Sequence, residues 1–294
     1  MELHDFDARR GVLTTPAGDV GYVDIGDGPV ALFVHGIGVN AYLWAHVIER
    51  VADERRCIAL DLPMHGRTPA REGDVSLTAL ARFVGDFRDA MGLDRVDLVA
   101  NDTGGAVAQI LATLSPARLR TLTLTNCETH DNIPPEAFAP TAELARQGAL
   151  APTAPALLAD LDAARTTLLG SSLEDARAVP LDVVASFLEP VIGTEERARR
   201  FEQLLVALRP EDLLAVEPEL RRLRVPTLVV WGTGDVMFDV SWAYWLRDTI
   251  PGVTDVVELD GARLLFPLER ADELARHLRR HWASASEPAV STNG

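Results

Sequence analysis

The chain has 294 residues, of which 47% are hydrophobic, and its formal net charge is −16. This composition predicts a globular protein with a large core, built as one domain with an insertion or as two domains. Nucleic acid is not expected as a partner, because the net charge is negative and the arginines are scattered along the sequence and do not cluster. All 28 basic residues are arginine, which excludes Schiff-base chemistry on a lysine and the usual attachment of pyridoxal phosphate.

Three further features concern compartment and redox state. No apolar run approaches the ~18 residues that span a bilayer, so no membrane association is expected. The first ten residues are charged and acidic, unlike a signal peptide, and a cytoplasmic location is therefore expected. Cys57 and Cys127 lie in apolar, strand-like segments, which favours buried reduced thiols over a disulfide framework or a metal site.

The first part of the chain alternates short β-branched runs with helical patterns. Strands are predicted at 18–26, 30–35, 56–61, 96–101 and 121–126, and helices at 42–54, 76–92 and 104–114. Such a rhythm indicates an α/β fold with a mostly parallel central sheet and flanking helices.

The rhythm stops at about residue 131, where the chain becomes rich in Ala, Leu and Glu without a strand pattern. We therefore predict an all-helical insertion. Beyond it, strands are predicted at 226–231 and 254–259 and helices at 241–250 and 271–282. The predicted organisation is a first core part at 1–130, the insertion at 131–215, a second core part at 216–284 and a disordered tail at 285–294.

Residues that directly follow strands are the first candidates for a site, because ligands of α/β sheets bind at strand ends. Four such places are found, at 35–38, at Asp102, at 127–132 and at 231–235.

Asp102 lies between a predicted strand and a predicted helix. Small residues two positions before and after it, Ala100 and Gly104, suit a sharp strand-to-helix turn. On such a turn the carboxylate faces the backbone N–H groups of Thr103 and Ile37, which are suited to developing negative charge. The alternative is that Asp102 only caps the following helix.

Over nearly its whole length the chain resembles the α/β-hydrolase fold. The resemblance is carried by "HGIG" at 35–38, by the elbow around Asp102, by "DLPMHGRT" at 61–68 and by "WGTGD", which ends at Asp235. It implies that Asp235 is the catalytic acid, that His65 is structural, and that the insertion is a helical cap roofing the pocket. An Asp at the elbow resembles the branch of haloalkane dehalogenases and epoxide hydrolases.

In that branch the carboxylate displaces a halide or opens an epoxide, and forms an alkyl ester. A His then deprotonates the water that cleaves the ester. Here its expected position falls at Arg263 or Leu264, and neither is a general base. His130 is a candidate for a displaced base, with Glu128 or Asp235 nearby; the alternative is a hinge His that binds backbone.

The neighbours of the elbow also depart from the specific branch members. Haloalkane dehalogenases grip the halide with a Trp after the nucleophile and a second N–H donor after His-Gly, and these positions are Thr103 and Ile37 here. Epoxide hydrolases use cap tyrosines, and the insertion contains no Tyr. Fluoroacetate dehalogenases carry an Arg after the nucleophile.

A pocket wall is predicted from polar and aromatic residues near the strand ends. The candidates are Asn40, Trp44, Glu128, Phe238 and Trp242. The alternative for the aromatic members is core packing, which is usual for rings at helical spacing.

Three functions remain open from the sequence. The leading one is hydrolysis of a small organic substrate through an ester on Asp102. The second is a lyase, cyclase or isomerase that uses Asp102 as general acid or base, and the third is a ligand-binding protein without catalysis. No cofactor and no metal are expected, since the chain lacks a Gly-rich phosphate loop and ligand-spaced clusters; the oligomeric state is left open.

Overall fold

A computed structural model describes residues 1–16 and 18–286. Within that part of the chain, eight strands form one sheet in the order β1-β2-β4-β3-β5-β6-β7-β8, with β1 and β2 antiparallel to their neighbours and the remaining pairs parallel. The strands are β1 Arg10–Thr15, β2 Gly18–Ile25, β3 Val30–Val34, β4 Arg56–Leu60, β5 Val96–Asn101, β6 Leu119–Thr125, β7 Thr227–Gly232 and β8 Val253–Leu259. The predicted α/β class is confirmed.

Helices flank this sheet and also form the insertion. They are α1 Leu3–Asp7, α2 Ala45–Val51, α3 Leu77–Ala90, α4 Thr103–Leu114, α5 Ala139–Arg146, α6 Leu161–Leu168, α7 Leu181–Ile192, α8 Glu195–Ala207, α9 Pro210–Leu220, α10 Ser241–Thr249, α11 Phe266–Glu269 and α12 Ala271–Ser286. In the core, α2 packs against α12 and α3 packs against α4. No helix among the described residues is long and apolar enough to cross a membrane.

The central strands explain why the sheet is parallel and covered on both faces. Every residue of β5 and of β7 is buried, as is typical of strands that lie between two helical layers. Because β3, β5, β6 and β7 are parallel neighbours, their carboxyl ends meet along one edge of the sheet. The loops that follow these strands therefore come together, which is the arrangement that positions a site.

The structure differs from the local predictions at three places. Strand β1 and helix α1 were not predicted, because their short mixed sequences carry no clear period. The helix predicted at 42–54 begins as a 3-10 turn at Ala41–Trp44, which Asn40 caps by accepting the Tyr42 N–H, before α2 continues it.

The insertion contains helices and 3-10 turns, and no strand is found among its described residues. Its last helix, α9, runs from Pro210 to Leu220, so the predicted boundary at residue 215 falls inside a helix. At the other end of the core, α12 continues to Ser286. The predicted tail therefore begins in a helix, and residues 287–294 lie outside the described residues.

Substitutions at two glycines test how closely the elbow around Asp102 packs on its neighbours. A Cβ on Gly104 would lie 2.5 Å from the carbonyl oxygens of His35 and Val34, whereas one on Gly85 in α3 would meet Leu111 at an ordinary 3.4 Å. We expect Gly104→Ala to lower the free energy of unfolding by about 1–3 kcal/mol, because backbone must shift. Gly85→Ala, the control, should raise it by about 0.5–1 kcal/mol. Urea denaturation measures both, and equal effects would contradict the close packing of the elbow on β3.

Candidate active site

Asp102 lies on a strained turn between β5 and α4. Its backbone has φ 56° and ψ −136°, a positive-φ conformation that is uncommon for residues other than glycine. The Asp102 N–H donates to the carbonyl of Asn126 at 2.8 Å, and the side chain makes no capping hydrogen bond to α4. The carboxyl group therefore does not act as the N-cap of α4, although the N–H of Thr103, the first residue of that helix, lies beside it.

The carboxyl group of Asp102 instead faces backbone donors. Its Oδ2 accepts the N–H of Ile37 at 3.0 Å, and hydrogen bonds from Ile37 and Thr103 both favour its ionised form. Gly36 makes this approach possible, since a Cβ there would lie 2.0 Å from Oδ2 of Asp102. The structure thus brings together the three residues predicted for this part of the site.

Two buried histidines hold the loop that carries Ile37. Nε2 of His35 accepts the Leu62 N–H at 2.9 Å, and Nε2 of His65 accepts the Gly38 N–H at 3.1 Å. Burial lowers the pKa of each ring to about 3. Both rings are therefore neutral near pH 7 and act as structural acceptors.

A cavity of about 360 Å³ lies between the strand ends and the insertion, which we call the cap. From the core it is lined by Ile37, Gly38, Val39, Asp102, Glu128, Met237, Phe238, Leu264 and Leu265. From the cap it is lined by Pro135, Ala137, Phe138, Thr141, Leu150, Ala154, Leu157, Thr167, Leu168, Leu169, Ser171, Ser172, Leu188, Val191, Ile192, Ala198 and Phe201. The charged residues in this lining are Asp102 and Glu128, so two acids share a largely apolar space.

One carboxyl oxygen of Glu128 is hydrogen-bonded and the other is not. The Thr103 hydroxyl donates to its Oε1 at 2.7 Å, while its Oε2 is buried without a hydrogen-bond partner in the described part of the chain. Burial raises the pKa of Glu128 to about 7. Burial, and then the charge of Glu128, raise the pKa of Asp102 well above its ordinary value.

Asp235 follows β7, at the position predicted for the catalytic acid. Its Oδ2 accepts Nδ2 of Asn126 at 2.8 Å and its Oδ1 accepts the Met237 N–H at 2.9 Å. Burial raises the pKa of Asp235 to about 6, and its charge contributes to the raised pKa values of Asp102 and Glu128. Asp235 itself does not belong to the cavity lining.

Asn126 was missed by the sequence analysis. Besides binding Asp235, its side chain bridges to the backbone of Gly232, accepting that N–H at 2.7 Å. Its carbonyl binds the Asp102 N–H, so Asn126 ties the end of β7 to the elbow. The feature that could have revealed Asn126 is its position directly after β6, at the edge of the sheet where the other site residues lie.

Leu264 occupies the region where the family resemblance places a His. Its side chain lines the cavity, and its carbonyl accepts Nδ2 of Asn101 at 3.0 Å. The neighbouring Arg263 donates to the carbonyl of Gly170 at 3.2 Å. An alkyl group therefore faces the cavity where a base was sought.

His130 lies beside the cap and not in the cavity lining. Its Nδ1 is 2.8 Å from Oε2 of Glu217 in α9, and its ring centroid is 5.0 Å from that of Trp245 in α10. The structure does not bring His130 together with Asp102, so the displaced-base prediction has no geometric support. The reason is that α9 supplies an acid that binds the ring, which the local sequence around His130 could not show.

Glu128 and Phe238 are the predicted wall residues that line the cavity. The other three lie elsewhere. Asn40 donates from Nδ2 to the carbonyl of Ser186 at 2.9 Å, Trp44 is fully buried with its ring 5.3 Å from that of Phe33, and Trp242 packs among the rings of α10. For these aromatic residues the alternative of ordinary packing describes the structure.

The apolar cap side of the cavity was also missed. Leucine, valine and phenylalanine side chains from α6, α7 and α8 supply much of it, and no single residue there carries a motif. Among the described residues, no cluster of three or more His, Cys, Asp or Glu side chains is arranged to hold a metal ion.

The raised pKa of Glu128 predicts how stability changes with pH. Its folded-state value of about 7 lies above the ordinary 4.5, so the folded state binds the proton more tightly and the Glu costs stability as pH rises through this window. We expect Glu128→Gln to exceed the wild type in free energy of unfolding by on the order of 1–3 kcal/mol at about pH 8, with little difference below about pH 4.5.

Denaturant titrations across this pH range measure the effect. Asp239→Asn is the control, because Asp239 is exposed and hydrogen bonds from Ser241 lower its pKa. A Glu128→Gln difference that does not grow with pH would contradict the buried, protonated acid.

Comparison with known proteins shows the family. The alpha/beta hydrolase fold family model matches residues 29–269. Haloalkane dehalogenase 2 of Mycobacterium tuberculosis is 28% identical over 250 residues, which cover 81% of each chain. A dihydrolipoyllysine-residue acetyltransferase component of the acetoin cleaving system from Cupriavidus necator is 34% identical over 99 residues, which cover 34% of this chain and 26% of that protein.

Among solved structures, a haloalkane dehalogenase from Bradyrhizobium elkani superposes with a TM-score of 0.79 at 20% sequence identity, covering 94% of this chain and 98% of that one. This similarity shows the fold. The chain belongs to the α/β-hydrolase-fold family.

Proposed function

We propose that this protein is a hydrolase that cleaves small, uncharged organic molecules with a leaving group on a saturated carbon, through an alkyl ester on Asp102. The observation that carries the proposal is the 3.0 Å hydrogen bond from the Ile37 N–H to Oδ2 of Asp102 at the wall of an apolar cavity. A carboxylate held in this way is oriented toward substrate and needs no base to activate it.

The two oxygens of Asp102 have different surroundings. Because the Ile37 N–H holds Oδ2, Oδ1 is the oxygen that attacks the substrate carbon. Once the ester has formed, Oδ2 becomes its carbonyl oxygen and remains beside a backbone donor. When water adds to the ester, negative charge develops on Oδ2, where such a donor stabilises it most.

The relatives support the reaction class. The M. tuberculosis relative that matches 81% of this chain is named a haloalkane dehalogenase, and the fold neighbour from B. elkani has the same name. Hydrolysis is therefore the chemistry that the comparisons favour, and the Asp elbow supports the route through an alkyl ester.

The cavity indicates which substrates fit. Its volume of about 360 Å³ lies at the lower end of the range for small-molecule sites. The lining is largely aliphatic, which favours alkyl chains over charged metabolites. It contains no Trp whose N–H would stabilise a departing halide, so we expect bromides to react faster than chlorides.

A second function has one observation in its favour. Leu264 lines the cavity where a His would activate water, and the raised pKa of Asp102 suits a group that carries a proton. A lyase or isomerase that uses Asp102 as general acid or base needs no activated water. Its products would contain no oxygen from the carboxyl group or from solvent.

The proposal predicts a covalent adduct. Wild-type protein mixed with primary bromoalkanes from propyl to octyl should release bromide and gain the mass of the alkyl group at Asp102 in rapidly quenched samples. Asp102→Asn should lower bromide release at least about a thousandfold, because it removes the nucleophile. Alkylation should become faster as pH rises, since the nucleophile is the ionised form of a group whose pKa is raised.

Asp239→Asn serves as the matched control, because this exposed carboxyl group lies outside the cavity lining. It should react as the wild type does. Bromide release without any adduct, or undiminished release by Asp102→Asn, would contradict the alkyl ester. A compound that stabilises the fold and is never consumed would instead favour a binding protein.

A further inference from the structure

We infer that Glu128 is the general base of this site, taking a proton from the water molecule that cleaves the ester on Asp102. The inference deepens the proposed function and rests on it. It assigns the second half of the reaction to a residue on the floor of the cavity and removes the need for a histidine.

The position of Glu128 supports this role. It follows β6, lines the same cavity as Asp102, and binds the hydroxyl of Thr103, the residue next to Asp102 in the chain. The Thr103 hydroxyl fixes Oε1 at 2.7 Å. Oε2 is buried and unpartnered among the described residues, so one oxygen is positioned and the other has no competing hydrogen bond.

A second cavity adjoins the first beside Glu128. Its volume is about 20 Å³, which is enough for one water molecule. Ile37, Glu128, Pro135 and Phe138 line both cavities, so the small one opens beside the loop that binds Asp102. Among its lining residues Glu128 has the only polar side chain, and a water molecule there would be oriented by that carboxyl group.

The protonation of Asp102 and Glu128 changes as the ester forms, and the change prepares Glu128 to act as a base. Before reaction, the repulsion between the two acids favours one proton on the pair, and the form that reacts is the one in which Asp102 is ionised and Glu128 carries the proton. Attack by Oδ1 of Asp102 breaks the bond from carbon to the leaving group, which departs as an anion with the bonding electrons. The ester is neutral, so the repulsion disappears, and Glu128 loses its proton to solvent.

Hydrolysis then closes the cycle. The Glu128 carboxylate takes one proton from water as the water oxygen bonds to Cγ of Asp102, and the negative charge on Oδ2 faces the Ile37 N–H. The bond between Cγ and the alkyl oxygen breaks, and the departing alkoxide takes the proton from Glu128. The proton of the new Asp102 acid passes to Glu128, which restores the starting pair. The sum is bromoalkane plus water giving alcohol, bromide and a proton.

Glu128→Gln separates the two halves of the reaction. With butyl bromide this variant should release about one bromide per protein and then stop, with the butyl adduct accumulating at Asp102. Cleavage of the adduct should slow by about 100-fold or more, the usual contribution of a general base. In the wild type, cleavage should become faster as pH rises through about 7, the pKa of Glu128, and this dependence should vanish in the variant.

Glu128→Asp keeps the inference testable if Glu128→Gln folds poorly, since it should cleave the adduct more slowly than the wild type, and a second variant adds an independent rescue. Glu128→Asp retains a carboxyl group at a shorter reach and should cleave the adduct faster than Glu128→Gln. Glu128→Gln combined with Leu264→His places an imidazole in the cavity lining and should recover part of the cleavage. Asp239→Asn is the control and should turn over without accumulation.

The outcomes separate this inference from the proposed function. Repeated turnover by Glu128→Gln at a rate within a few-fold of the wild type, without adduct, would overturn the role of Glu128 and leave the ester on Asp102 standing. Absence of any adduct in both proteins would overturn both proposals.

Discussion

The hydrogen bond from the Ile37 N–H to Oδ2 of Asp102 joins two loops that follow different strands. Since β3 and β5 are parallel neighbours, their carboxyl ends meet, and the contact requires only that the loops approach closely. Gly36 and Gly104 allow this, because a Cβ at either would collide with Asp102 or with the backbone of β3. The buried rings of His35 and His65 hold the Ile37 loop in place.

The same arrangement has an electrostatic cost. Asp102 and Glu128 share an apolar cavity whose lining contains no basic side chain, and burial raises the pKa of both. Both groups are ionised in the unfolded chain at neutral pH, so holding them protonated in the folded state lowers the free energy of unfolding. In return, Glu128, whose pKa is raised to about 7, is easily switched between acid and base near neutral pH, which is the property that proton transfer requires.

Much of the core of this site could be predicted from the sequence. The Asp102 elbow and the Ile37 donor each follow a strand of a parallel sheet, so local pattern was sufficient for them, and the resemblance to the α/β-hydrolase fold implied the acid after β7. The cap residues that form the apolar wall could not be predicted, because helix packing and not a motif selects them. His130 was misplaced for a related reason, since its partner Glu217 is distant in sequence. Trp44 and Trp242 were expected in the wall, yet both pack as ordinary aromatic residues.

The central claim is that solvent oxygen reaches product by way of the Asp102 carboxyl group, and a single turnover in water labelled with heavy oxygen tests it most directly. With protein in excess over butyl bromide, the account predicts that the proteolytic peptide containing Asp102 gains one heavy oxygen while the butanol formed carries none. Heavy oxygen in that first butanol, with an unlabelled Asp102 peptide, would mean that water attacks the substrate directly and would contradict the account.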